Sequence, residues 1–526
     1  MPRRREWIAA ILLSLGVAGA TLLPYLAAAR MAGPGSTFAG FLLNPLDGFS
    51  YLAKMRQGAG GSWLFTLPYA SQPGPGVFLY VYHLLLGHLA SWAGLSLLTV
   101  YHAARVAGAT GMFLAAFAFF GVCLRTRRAR WIAFLLALFG SGLGWLLLPT
   151  QSLAADLWIP EAIPFLSAYV NVHFPLAAAA VLVGAASILA ASLNPRGSRR
   201  HGWVVAALGS GLVLGAVQPF AVLPLAAAFG LWLIWEARRG AGRGRAPGGI
   251  AANGFPAVLA LVAGAAPWVL YDLWVVRTHP VLRAWSLQNQ TPSPPPLLFA
   301  AGYGLVLILA VAWLLRGRAA NRPSARLLVV WVMVGALFLY VPFSLQRRLS
   351  LGLFFPMAGL AAQALDTFGR GRARRGVVVL ALVLSVPSNL VVVGAGLSGV
   401  RQQEPALLIG EGEAAAYGWF AEHAPSGAVV LASPLAGNRL PAFADVRVLY
   451  GHPFETPEAE IRLAEVEQLY AWQGTAAQGQ ALLEAAGVDF VLYGDAERSL
   501  GTPSWLAGLP LAYEHAGVEI YGPVSP

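Results

Sequence analysis

A chain of 526 residues that is 57% hydrophobic and 11% charged, with mean hydropathy +0.64, is too long and too apolar to be one water-soluble globule. Its formal charge of +12 would suit a nucleic-acid partner, but the arginines stand in short clusters between apolar runs, a pattern of membrane topology and not of a phosphate-binding face. The single cysteine, Cys123, sits inside an apolar run and excludes an internal disulfide or a cysteine-based metal site.

The chain opens MPRRREWIAAILLSLGVAGATLLPYLAAAR, a basic flank followed by an apolar run of about 20 residues. That exceeds the ~7–15 residues of a signal-peptide core and predicts a retained first span. Further runs are long enough to cross a ~30 Å hydrocarbon layer as helices. Together they predict about eleven spans, near 7–29, 98–124, 131–149, 174–193, 203–217, 221–236, 255–276, 297–315, 327–343, 350–366 and 377–395.

Arginine clusters at 3–5, 125–130, 196–200, 238–245, 316–326 and 370–375 should all be cytoplasmic. A span at 77–94 would put the later clusters on the wrong side, so this stretch predicts a helix lying in, or dipping from, the outer interface. The N-terminus is then inside. The outer loops are 30–97, 150–173, 277–296 and a short turn at 344–349.

Seven acids precede residue 396. Glu6, Glu236 and Asp366 fall at the inner face beside arginines, whereas Asp47, Asp156, Glu161 and Asp272 map to the outer mouth of the spans. Ionisable groups near a bilayer are costly and mark substrate paths or charge pairs. Within NPLDGFSYLAKMRQG, a helix over 47–58 puts Asp47, Tyr51 and Lys54 on one face at i, i+4 and i+7. Arg347 and Arg348, in PFSLQRRLSLGLFFP, break the positive-inside pattern and call for a counter-charge such as a lipid phosphate or an outer acid. The same segment carries Gln346; Gln218 and His173 sit at outer span ends in QPF and HFP. The Pro-rich loop RTHPVLRAWSLQNQTPSPPP brings Arg277 and Arg283. Arg105, inside a predicted span, is the feature that would suit a carrier.

Residues 396–526 hold 16 of the 23 acids and 5 of the 35 basic residues, so this stretch is net −11 and the remainder net +23. That contrast predicts a membrane domain, 1–395, and a soluble one, 396–526. In the latter, 427–433, 446–451 and 488–494 read as short buried strands alternating with helices near 411–423, 457–470 and 475–486, a small α/β domain. Glu458 and Arg462 are spaced as an i, i+4 pair. Asn438, Arg439 and His452 are its polar loop candidates.

A first span, an outer loop opening with an acid and continuing YLAKMRQGAGGSWLFTLPYASQPGPGVFLYVYHLLLG, about ten further spans and a small outer α/β domain resemble the GT-C superfamily of membrane glycosyltransferases. More narrowly, the chain is similar to bacterial glycosyltransferase family 39 or mannosyltransferase-like proteins. The fold class is then mainly α: a polytopic membrane helix bundle of GT-C type with a small C-terminal α/β extracytoplasmic domain.

The resemblance implies transfer of a sugar from a polyprenyl-phosphate donor to a lipid, glycan or protein acceptor at the outer face. Asp47 would be the catalytic acid of the first outer loop, with Asp156 or Glu161 as a second. Arg347, Arg348, Lys54, Arg56 and Arg277 would hold the donor phosphate, and Tyr51, His173, Gln218 and Gln346 would contact substrate. Asp47, Glu161 and His173 are residue types that hold a hard divalent cation. The paired acids or Asp-x-Asp of some family branches are missing here, which leaves the metal open. The almost lysine-free composition points to a GC-rich bacterium, hence its inner membrane. Two other classes stand beside this reading: a lipid or sugar carrier, and a non-catalytic assembly protein in which Asp47 is dispensable.

Overall fold

The computed structural model describes residues 2–194, 200–241, 249–316, 322–368 and 371–524. Arg196, Arg199, Arg243, Arg245, Arg318 and Arg370 of the arginine clusters lie outside these residues. The described chain divides into two compact units. One comprises Met1–Leu23, His102–Tyr271 and Thr291–Ala395; the other comprises Pro24–Tyr101, Asp272–Gln290 and Gly396–Pro526.

Among the described residues nine helices are long and apolar enough to cross a bilayer: Arg4–Met31, Leu97–Cys123, Arg127–Thr150, His173–Leu193, Arg200–Val217, Pro219–Ala241, Ile250–Thr278, Pro296–Leu315 and Gly371–Arg401. This is an integral membrane protein. Each of the nine overlaps one of the eleven expected spans. The other two, 327–343 and 350–366, are shorter helices, Pro323–Phe338 and Phe354–Thr367, of 16 and 14 residues. The second begins only at Phe354, because Ser350 closes the 3-10 turn Gln346–Ser350 and Gly352 follows at φ +87°.

The first unit holds its buried charges with ion pairs or hydrogen bonds, as a low-dielectric interior requires. Arg326 meets Glu236 through two bonds of 2.6 and 2.7 Å, and Glu6 lies 3.0 Å from Arg127. Arg105 is fully buried. It donates to the Thr21 hydroxyl at 2.9 Å, the Ala168 carbonyl at 2.6 Å and His102 Nδ1 at 3.3 Å. This intramembrane arginine thus clamps three helical segments together, so the feature that suited a carrier has a structural explanation.

The second unit carries two sheets. Strands β1 (Ser36–Phe38) and β2 (Leu408–Gly410) pair antiparallel. The other five are β3 (Ala428–Leu431), β4 (Val446–Val448), β5 (Phe490–Tyr493), β6 (Leu511–His515) and β7 (Val518–Tyr521), in spatial order β4-β3-β5-β7-β6. β3 pairs parallel with β4 and β5; β7 pairs antiparallel with β5 and β6. All four residues of β3 and of β5 are buried, as continuous apolar strands covered on both faces should be. Helices Glu411–His423, Ala459–Tyr470 and Ala476–Ala485 stand where the apolar periodicity places them. Arg462 pairs with Glu465 at 2.6 Å instead of with Glu458, whose backbone turns to φ +53° at the helix cap.

The stretch 30–97 contributes two helices to this unit, Pro45–Ala59 and Val81–Ala93. The latter has 13 residues and ends at Gly94, whose φ of +64° suits glycine at a helix C-terminus. The two helices touch backbone to backbone. A Cβ on Gly58 would lie 2.1 Å from the Leu84 carbonyl oxygen, and one on Gly87 would lie 1.9 Å from that of Met55. The Gly87→Ala variant is therefore expected to lose about 1–3 kcal/mol by overpacking. Thermal unfolding in detergent measures this; an unchanged midpoint would show that the crossing yields without cost.

Candidate active site

The Pro45–Ala59 helix begins abruptly. Asn44 is left-handed at φ +50° and Pro45 supplies the preset φ of a first helical residue. Asp47 falls in the first turn, where unpaired backbone N–H groups favour a negative charge. Asn438 holds this turn from outside, donating its side-chain amide to the Leu46 carbonyl at 3.2 Å while its backbone carbonyl accepts from the Tyr69 hydroxyl at 3.1 Å.

Further along the same face Lys54, the single lysine of the chain, is fully buried. Its ammonium reaches both Glu455 carboxylate oxygens at 2.8 Å, and Ser50 donates to the same carboxylate at 2.7 Å. Tyr80, Tyr51 and Phe65 present ring faces to the ammonium at 4.3, 5.4 and 5.8 Å. Lys54 is thus not a phosphate ligand; its charge is committed to a carboxylate inside the protein. Tyr51 is likewise part of this cage, stacked on His83 at 4.8 Å. Burial pushes the His83 imidazole down to about 3, and the neighbouring Lys54 adds to the effect, so His83 is neutral.

Glu455 belongs to the turn HPFET, which braces itself. The Thr456 hydroxyl accepts from the amides of Gly451 at 3.2 Å and His452 at 3.1 Å, and Thr456 N–H returns to the His452 carbonyl at 2.8 Å. Gln288 donates to the Thr456 carbonyl and accepts from Glu458 N–H. The turn presents His452 Nε2 to Asp47 Oδ1 at 3.3 Å. The Asp47 side chain is 38% exposed, while that of His452 beneath it is 2% exposed.

The other predicted residues have different surroundings. Asp156 is fully buried and its Oδ2 accepts from the amides of Gly142 at 3.0 Å and Gly144 at 3.1 Å, so it staples a loop. Burial raises its carboxyl above the ordinary range despite those bonds. Glu161 and His173 are buried as well. Gln346 uses its amide on Ser293 N–H at 3.1 Å and the Val341 carbonyl at 2.7 Å, a bracing role where substrate contact was expected. Arg277 and Arg283 are exposed. Arg439, expected on a loop, lies in the Pro434–Phe443 helix and binds Glu413 at 3.0 Å. Arg56 lines a cleft of about 1010 Å³ whose walls include Leu52, Gln57, Thr66, Phe443 and Asp445, and which Asp47 does not line.

In the first unit the 3-10 turn Gln346–Ser350 sets Arg347 over the Trp158 ring at 4.9 Å. Its backbone N–H donates to the Thr291 carbonyl, and Thr291 N–H to the Ser344 carbonyl. Around this turn Gln218 Nε2, Thr291 Oγ1, Ser293 Oγ, Arg347 Nε and Ser350 Oγ are buried with no hydrogen-bond partner.

Among the described residues no three His, Cys, Asp or Glu side chains gather as metal ligands. Glu455 is engaged by Lys54 and Ser50.

No protein-family model matches the sequence, and no curated protein does. Solved structures do. The structure of ArnT from Cupriavidus metallidurans bound to undecaprenyl phosphate matches at TM-score 0.55 and 12% identity, over 99% of both chains. The apo oligosaccharyltransferase of Archaeoglobus fulgidus matches at TM-score 0.58 and 12% identity, over 99% of this chain and 75% of that one. The mycobacterial arabinofuranosyltransferase AftD matches at TM-score 0.55 and 15% identity, over 99% of this chain but 40% of that one. An Archaeoglobus structure in complex with Zn and sulfate is also similar, at TM-score 0.53. At these identities the likeness is one of fold: the chain has the GT-C fold of membrane glycosyltransferases.

The ion pair makes a prediction. Burial alone would raise the Glu455 carboxyl, but Lys54 and the bonds from Lys54 and Ser50 hold it below the ordinary 4.5. Its stabilising contribution is complete above that unfolded-state value and is lost as pH falls through the lower folded one. Lys54→Met, which strands a buried carboxylate, is expected to cost about 3–5 kcal/mol at neutral pH. The deficit should shrink as pH falls and protonation neutralises the stranded Glu455 carboxyl, and Lys54→Met/Glu455→Leu should recover most of the loss at neutral pH. Tryptophan fluorescence from about pH 3 to about pH 8 reads both effects.

Proposed function

We propose that this protein is a GT-C glycosyltransferase that moves a sugar from a polyprenyl-phosphate donor to a hydroxyl acceptor, with Asp47 as general base. The observation that carries the reading is the environment of Asp47. Of the three predicted catalytic acids it alone is substantially exposed, on the first turn of a rigid helix and fixed by a buried histidine. A carboxylate so held can take the acceptor proton as the hydroxyl oxygen attacks sugar C1.

In that step the new C1–O bond forms as the bond from C1 to the phosphate oxygen breaks. The electron pair leaves with the phosphate, and the proton passes from the acceptor to Asp47 and then to water. One displacement inverts the configuration at C1. Arg347 and Arg348 would stabilise the phosphate on which charge accumulates. The ArnT neighbour carries undecaprenyl phosphate, which supports the same donor class. No step is routed through a metal ion. The arginine clusters and the acidic C-terminal stretch support a cytoplasmic N-terminus, an extracytoplasmic site and a bacterial inner membrane.

Purified protein incubated with a panel of radiolabelled polyprenyl-phosphate sugars and membrane extract tests this. Wild type is expected to transfer label and Asp47→Asn, which keeps shape but removes the base, to fall by about 10²–10⁴-fold. Equal transfer by both would remove Asp47 from the mechanism. Arg347→Ala should weaken the use of every donor alike, because it acts on the shared phosphate; loss confined to one sugar would assign it elsewhere.

A further inference from the structure

The geometry points to His452 as a positioning residue that holds the Asp47 carboxylate by donating a hydrogen bond from one fixed tautomer, and so to a reaction site completed by the HPFET turn. This rests on the reading of Asp47 as the base.

The tautomer follows from the two ring nitrogens. Phe454 N–H donates to His452 Nδ1 at 3.1 Å, so Nδ1 is an acceptor and carries no proton. The ring proton is then on Nε2, which faces Asp47 Oδ1 at 3.3 Å. His452 is 1% exposed and stacks on Tyr69 at 6.0 Å, so the ring has little room to turn. The charged groups facing it are Asp47, Glu455 and, through Glu455, Lys54.

A neutral imidazole locked in this way cannot relay a proton away from Asp47 through Nδ1, because the Phe454 amide occupies that position. Its part is to fix one oxygen of the carboxylate and thereby aim the group. The turn that carries it is pinned by Thr456 and by the Glu455 bridge to Lys54, two helical turns along from Asp47 itself. Base and positioning residue are therefore set by the same short segment, which comes from the far end of the sequence.

The requirement is for a donor at the Nε2 position and not for a titrating group. A glutamine side chain would place an amide N–H near that position, so His452→Gln should retain most of the wild-type kcat, whereas His452→Ala should lose about 10–100-fold with KM little changed. The pH profile of the glutamine variant should keep the wild-type shape. Selective ¹⁵N-histidine NMR of the whole protein, with the His452 signal assigned from the glutamine variant, should show a protonated Nε2 and an unprotonated Nδ1.

Alanine equal to wild type, glutamine no better than alanine in a folded protein, or an Nδ1-protonated ring would each overturn the proposal. A wild type inactive with every donor would instead overturn the transferase reading, while the ring tautomer would still decide the contact. Melting temperatures of both variants separate misfolding from lost positioning.

Discussion

Everything near Asp47 depends on the buried pair of Lys54 and Glu455. Two residues 401 positions apart meet with both carboxylate oxygens 2.8 Å from the ammonium, and neither can be left alone inside the protein. A buried ion pair adds little net stability over a well-packed apolar one, but it tolerates no misalignment. Here it fixes which turn of the C-terminal sequence lies on which turn of the first-loop helix. In a chain that otherwise uses arginine, this site holds the one lysine, a compact ammonium set among three ring faces and one carboxylate.

From that anchor the contrast between acids becomes intelligible. Asp47, Asp156 and Glu161 are equivalent as sequence: carboxylates in outer loops. Their surroundings separate them. Asp156 is enclosed and accepts two backbone amides, which makes it part of the scaffold. Asp47 keeps a solvent-facing edge, a helix N-terminus behind it and a histidine donor. These give the carboxylate a fixed aim at an acceptor hydroxyl, which becomes acidic as its bond to C1 forms.

Much of the fold was legible in the sequence because its signals are local. The positions of nine of the eleven expected spans, the helix carrying Asp47 and the three strands at 427–433, 446–451 and 488–494 follow from apolar periodicity. Two elements were missed despite local cues. The Pro434–Phe443 helix has Ser433 as its N-cap, accepting from Ala436 N–H at 3.3 Å, and Pro434 at its first position. The β6–β7 hairpin turns at Ala516 and Gly517, both with positive φ, as Gly after a small residue allows. What could not be read was the pairing of remote residues. Lys54 looked like a phosphate ligand because its face of the helix was visible and its partner was not. His452 could be singled out only as a polar residue near a strand end, since nothing local ties it to a carboxylate 405 positions away.

The central claim is that one aimed carboxylate drives a single displacement at the sugar. The anomeric configuration of the product relative to the donor, determined by NMR on product formed in the transfer reaction, tests this most directly. Inversion is the predicted result. Retention would require a second nucleophile in the site and would contradict the account of Asp47 as the base.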